Sequence, residues 1–297
     1  MDTVPNAFCD DVVALLTTEE ALDFAFTTIP KWGRFFLHHM EQRKNFAFVV
    51  DETSTEASIR QFMDLFASFN IRHSRLYKVV ISENIPIPFS RLLLHLGDLL
   101  SFLDPHLHYS SLQILLPEPE TTEILNLLLE RRAFFKQVEF RITCAATLPY
   151  LQALEAYGRL ERLILRDWLP EAAEVLRNLC LQDQFEIFDG ADAVGALHSI
   201  EIGVFQRVVE KWLTEERPKS AKFFRIWANF DLTPLEGVLK RANTQLPYDA
   251  LGRRHGNCDA AAIAAMQNGV FTLYFVNDHN EIYDRNDRFV CSDEYRY

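Results

Sequence analysis

Glycine is scarce, with ten in 297 residues. No G-x-G-x-x-G and no G-x-x-x-x-G-K-[ST] occurs, so the usual phosphate-cradling loops are excluded. No H-E-x-x-H zinc helix and no G-x-S-x-G nucleophile elbow is present. Long apolar runs are missing too. The stretch 90–103 is broken by Arg91, His95 and Asp98, and no membrane span is expected. Cysteine is sparse and scattered: Cys9, Cys144, Cys180, Cys258 and Cys291 form no Cys-x-x-Cys pair. That excludes a four-cysteine zinc site and argues against a disulfide framework. Such thiols suit a reducing compartment, cytoplasm or nucleus. Basic residues are in deficit, 30 Lys+Arg against 42 Asp+Glu, for a net charge of −12. A polyanion is repelled on average, so no nucleic-acid partner is expected. Arg131-Arg132 and Arg253-Arg254 are isolated doublets, too short for a nucleic-acid track. The opening carries Asp2, Asp10 and Asp11 and no basic region, so it does not read as a signal peptide.

What is present is a globular composition, 48% hydrophobic and 24% charged. The length suits one large domain or two ordinary ones. Residues 1–44 read as a small helical unit. Val12, Val13, Leu15 and Leu16 share one helical face, and Pro30 marks a break before Trp32. From residue 46 the period changes. Strand-like runs are expected at 46–50, 76–81, 112–116, 138–142, 160–165, 185–188, 200–202, 223–227 and 271–276. Val138-Glu139-Phe140-Arg141-Ile142 shows the two-residue alternation of a half-buried strand. Helical runs are expected between them at 58–69, 90–103, 121–132, 148–157, 170–181, 205–216 and 234–242. Thr121-Thr122-Glu123, Pro170 and Pro234 read as helix starts.

Alternating strands and helices imply an α/β fold with mostly parallel strands. Two architectures remain, a doubly wound sheet and a horseshoe of stacked strand–helix repeats. The expected strand starts 112, 138, 160 and 185 are spaced like a leucine-rich-type repeat. Leu160-Glu161-Arg162-Leu163-Ile164-Leu165 has the look of its inner strand, although the Asn that normally follows is missing. The short step from 185 to 200 implies one repeat without a full helix. The fold expected is an irregular leucine-rich-repeat-like α/β horseshoe over residues 45–297. Residues 243–297 would form its terminal cap, a β-hairpin of 271–278 and 282–290 around Asp278-His279-Asn280.

Chemistry is thinly signposted. His38-His39 are adjacent and face different sides of a helix. His106 and His108 share a face only if extended, and polar loop histidines is the simpler reading, so no metal is expected. His255-Gly256-Asn257-Cys258-Asp259 is the most suggestive cluster. A helix over 260–266 would place Cys258 near its N-terminus, where the dipole lowers a thiol's pKa. That makes Cys258 a remote candidate nucleophile; the plainer reading is a turn with an Asn or Asp cap. No cofactor is implied. Trp212 falls on an apolar helix face and Trp227 ends a strand, while Trp32 and Trp168 are candidate interface anchors.

The opening carries the most specific pattern. Val4-Pro5-Asn6-Ala7-Phe8 is followed by Val12, Leu16, Leu22, Phe26 and Ile29, then Lys31-Trp32. This resembles an F-box, closest to the large nematode families in which an F-box precedes an α/β repeat region. The resemblance implies that Val4, Pro5, Phe8, Val12, Leu16, Leu22 and Trp32 contact a Skp1-like adaptor. It also implies that the remainder recruits an unknown protein target to an SCF-type ubiquitin ligase, with no enzyme chemistry of its own. Short amphipathic helices fit docking on a partner. Pro30 and Gly33 interrupt the third helix of the pattern. A non-ligase repeat scaffold with a degenerate box therefore stands as the alternative, with residues 1–44 as a helical cap.

Overall fold

The computed structural model describes residues 44–68, 74–103, 110–167, 170–190, 200–215, 222–228, 230–241, 249–256 and 260–276. They form an α/β fold with eleven strands and six α-helices. Packing divides the chain into residues 1–113 and residues 114–297.

In the first unit, β1 (Lys44–Val50) and β2 (Ser74–Ile81) pair in parallel across α1 (Glu56–Ser68), and α2 (Phe89–Leu103) follows. The sequence Asp51-Glu52-Thr53-Ser54-Thr55 turns the chain into α1. The Asp51 carboxylate accepts from the Thr53 N–H (2.9 Å) and hydroxyl (2.7 Å), a side-chain turn that holds its pKa below the ordinary value. Thr55 and Ser58 then cap the helix reciprocally: the Ser58 N–H donates to Thr55 Oγ1 (3.1 Å) and the Thr55 N–H to Ser58 Oγ (2.8 Å). Ile59, Phe62 and Phe66 lie on one stripe of α1, and the Phe62 and Phe66 rings meet Phe48 and Phe46 of β1 at centroid distances of 5.2 Å. The β1–β2 register slips after Phe46. Leu76 faces Phe46 but Lys78 faces Ala47, so Tyr77 is the extra residue of a bulge and stands 51% exposed. β3 (Ser111–Ile114) spans the division between the units.

The second unit continues with α3 (Glu118–Glu130), β4 (Gln137–Phe140), α4 (Thr147–Tyr157) and β5 (Arg162–Leu165). A 3₁₀ turn at Pro170–Ala172 leads into α5 (Ala173–Cys180), followed by β6 (Ile187–Gly190), α6 (Ile202–Thr214) and β7 (Phe223–Trp227). Strands β4 to β7 are parallel and neighbour each other in chain order. Gln137 pairs with Arg162 and Arg162 with Ile187, so the step is 25 residues each time. Successive helices α3 to α6 pack side by side. A doubly wound sheet reverses its strand order at a switch point; this run has no reversal.

Each strand turns one face to the helices. Val138, Phe140, Leu163, Leu165, Phe188, Phe224 and Ile226 are buried there, as are Leu128, Leu151, Leu154, Leu176 and Phe205 of the helices. The buried Tyr150 hydroxyl donates to the Ala133 carbonyl (3.0 Å), tying α4 to the connection before β4. Gly158, at φ 68°, ends α4 in the left-handed conformation and donates its N–H to the Leu154 carbonyl.

Several expectations are corrected. The strand expected at 200–202 is absent: Ile200 is buried just ahead of α6, which starts at Ile202. The step from Ile187 to its β7 partner Phe223 is 36 residues, a long repeat where a short one was expected. The helix α3 starts at Glu118, so Thr121 lies within it, and its hydroxyl reaches back to the Leu116 carbonyl (3.0 Å). The helix expected at 234–242 is a 3₁₀ turn, Thr233–Gly237, followed by the short strand β8 (Lys240–Arg241).

Beyond β7 the sheet is antiparallel. β9 (Asp249–Arg254), β10 (Ala261–Gln267) and β11 (Val270–Val276) extend it in the order β7-β11-β10-β9-β8. The expected terminal hairpin is thus replaced by four strands. Its first strand is β11, but β11 pairs with β10 and β7; residues 282–290 lie outside the described residues. The alanine-rich helix expected over 260–266 is β10. Alanine is the best helix former, yet cross-strand pairing on both edges overrides that preference. Ala262 and Ala264 sit opposite Phe275 and Leu273, small residues against large ones.

Candidate functional site

The sheet of the second unit has a second face, away from α3 to α6. Alternation puts Glu139, Ile164, Asp189, Arg225 and Thr272 in one row across β4, β5, β6, β7 and β11. A neighbouring row holds Gln137, Arg162, Ile187, Phe223 and Tyr274. Most of these side chains are half-buried, unlike the sealed helix face.

Two ion pairs cross the strands on this face. Asp189 and Arg225 form a two-pronged bridge, Oδ1 to Nε at 3.0 Å and Oδ2 to Nη2 at 2.7 Å, with side chains 14% and 21% exposed. Arg166 Nε donates to Glu139 Oε1 at 3.2 Å. Just ahead of β4 and β5, outside these rows, Lys136 meets Glu161 at 2.5 Å. Ile187, Phe223 and Tyr274 lie beside the central pair. Among the described residues no group of three or more His, Cys, Asp or Glu side chains lies together for a metal ion. No helix among them is long and apolar enough to cross a membrane.

The thiols separate by burial. Cys144 and Cys180 are both buried. Burial pushes the Cys180 thiol up to about 12, against a smaller opposing pull from Lys222. Treating the native protein with iodoacetamide at neutral pH is expected to leave Cys144 and Cys180 unmodified, and both should react once urea unfolds the chain. Native labelling of either at the unfolded rate would contradict their burial.

Cys258 lies outside the described residues. The helix that was to lower its pKa is β10, so the dipole argument for a nucleophile there is removed. His255 is buried at 5% exposure, and its Nε2 lies 3.2 Å from the Trp212 carbonyl oxygen. A carbonyl only accepts, which makes Nε2 the donor. The His255 ring meets Trp212 edge-on at 4.8 Å, and its backbone N–H donates to the Ala260 carbonyl (2.8 Å). His255 thus fastens the β9–β10 turn to the end of α6.

All seven residues expected to contact an adaptor, Val4, Pro5, Phe8, Val12, Leu16, Leu22 and Trp32, lie outside the described residues, as do His38, His39, His106, His108 and Trp168. Trp212 is 2% exposed on α6, as its apolar helix face implied. Trp227 ends β7 and covers the turn glycine Gly269, where an added Cβ would meet its ring at 3.4 Å.

The Asp189–Arg225 pair was missed from sequence. Its partners are 36 residues apart. The polar place of Arg225 inside Phe223-Phe224-Arg225-Ile226-Trp227 was a usable signal for the face, but nothing local names Asp189 as its mate. No family model, no curated protein and no solved structure matches this chain.

Proposed function

We propose that the protein is an interaction adaptor, the substrate-recognition subunit of an SCF-type ubiquitin ligase. In this reading residues 1–44 bind a Skp1-like adaptor, and residues 45–297 form an irregular horseshoe whose open sheet face receives a protein target. The carrying observation is the chain-order run β4 to β7, with a 25-residue step from β4 to β6 and the Asp189–Arg225 pair at the centre of its open face. Stacked strand–helix repeats use such faces as extended binding surfaces. The adaptor half rests on the F-box resemblance of Val4-Pro5 through Trp32.

The experiment is co-expression with Skp1, followed by size-exclusion chromatography and intact mass. A one-to-one complex is expected, lost on removing residues 1–44 or on combining Pro5→Ala with Phe8→Ala. A folded 34.5 kDa monomer with no Skp1 attached would overturn the ligase reading and leave the repeat scaffold.

A further inference from the structure

The chain contains a single Asn-Gly step, Asn268-Gly269. It forms the two-residue loop between β10 and β11, closed by the facing pair Gln267 and Val270. Both loop residues have positive φ, 50° at Asn268 and 79° at Gly269, as the tight hairpin turn of this kind requires. Asn268 is exposed, so water and hydroxide reach its side-chain amide. Glycine puts no side chain beside the following amide nitrogen. The other described asparagines, Asn45, Asn84, Asn126 and Asn178, precede Phe, Ile, Leu and Leu, whose side chains hinder that nitrogen.

The turn also anchors a third strand. The Ala228 N–H donates to the Gly269 carbonyl (2.9 Å), and the Trp227 ring lies over Gly269. One extra backbone atom in a two-residue loop would spoil the Gln267–Val270 closure and this anchor together, because loop length sets hairpin register.

We propose that Asn268 is a site of spontaneous deamidation, and that its isoaspartyl product loosens the β10–β11 hairpin from β7. The Gly269 amide nitrogen gives its proton to hydroxide and attacks the Asn268 side-chain carbonyl carbon. A carbon–nitrogen bond forms, the bond to the side-chain nitrogen breaks, and ammonia leaves with a proton from water. The resulting succinimide adds water at one of its two carbonyls. Opening one way gives aspartate with the original backbone; opening the other way gives isoaspartate, whose main chain is one carbon longer. Water is the only co-reactant. The loop is held by the Gln267–Val270 closure and the Ala228 hydrogen bond, so the reaction proceeds through its brief opening.

The test is incubation of the full chain at 37 °C and mildly alkaline pH. Peptide mapping and hydrogen exchange are then run on the aged protein. A gain of about one mass unit is expected at the peptide carrying Asn268, ahead of every other asparagine of the described residues. In the isoaspartyl fraction, amides of 261–267 and 270–276 should exchange at least about tenfold faster. Asn268→Asp, which adds the charge but keeps the backbone, should exchange like the fresh protein. Deamidation absent from Asn268 while the unfolded chain deamidates there would overturn the site. Isoaspartate at 268 with unchanged exchange, or equal loosening in Asn268→Asp, would overturn the backbone mechanism.

Discussion

Phe205→Ala is expected to destabilise the second unit by about 3–5 kcal/mol, the usual cost of emptying a large aromatic site in a core. Phe205 is fully buried on α6. Its ring centroid lies 4.8 Å from Phe271, 5.9 Å from Phe224 and 6.1 Å from Phe230. One side chain therefore joins the helix layer to β7, the last parallel strand, and to β11, the antiparallel strand beside it. The rings meet tilted or edge-on, an arrangement that adds to simple burial. Alanine leaves a void that the surrounding strands, held by ladder hydrogen bonds, close only in part. Urea unfolding should show a lower midpoint with little change in slope. Phe205→Leu, which keeps most of the volume, should cost much less. An alanine variant within about 1 kcal/mol of the parent would mean that this aromatic cluster does not hold the two sheet regions together.

Arg225→Ala is expected to cost about 2–3 kcal/mol, and Asp189→Ala a similar amount. Breaking a buried pair leaves a charge without its partner, which in a full interior costs about 3–5 kcal/mol. The partners here are 14% and 21% exposed, so water recovers part of that. The bridge has two prongs and lies on neighbouring strands already held in register, with little side-chain freedom left to lose. The double variant should therefore cost less than the two singles added, with a coupling of about 1–3 kcal/mol. Glu56–Arg60 is the contrast. Its side chains are 38% and 63% exposed on α1, and its loss should leave stability nearly unchanged. Additive single costs at 189 and 225 would show that the open face is not organised around this pair.

The local periods of the sequence located most of the elements. Val138 and Phe140 alternate with polar neighbours and became β4; Ile59, Phe62 and Phe66 mark a helical stripe and became α1. These patterns succeed because each element must bury one face, and that need is written in its own residues. The failures are equally physical. Ala261-Ala262-Ile263-Ala264-Ala265 carries helix preference and no strand alternation, because a strand paired on both edges opposite Phe275 and Leu273 needs small residues. Pro234 looked like a helix start, but the chain makes only a 3₁₀ turn before Lys240 joins β9. The hairpin between β10 and β11 was legible in Asn268-Gly269, the strongest short turn signal, and was placed instead at Asp278-His279-Asn280.

Strand and helix content, the change of period after residue 44 and the absence of phosphate loops follow from residues near one another in the chain. Neighbour identity does not. That β11 returns beside β7, that the repeat step lengthens to 36 residues before β7, and that Asp189 meets Arg225 depend on contacts between distant segments. Local preference amounts to a few tenths of a kcal/mol per residue, whereas pairing and burial of a whole strand sum over many contacts. Where the two conflict, as along Ala261–Gln267, the larger sum sets the outcome.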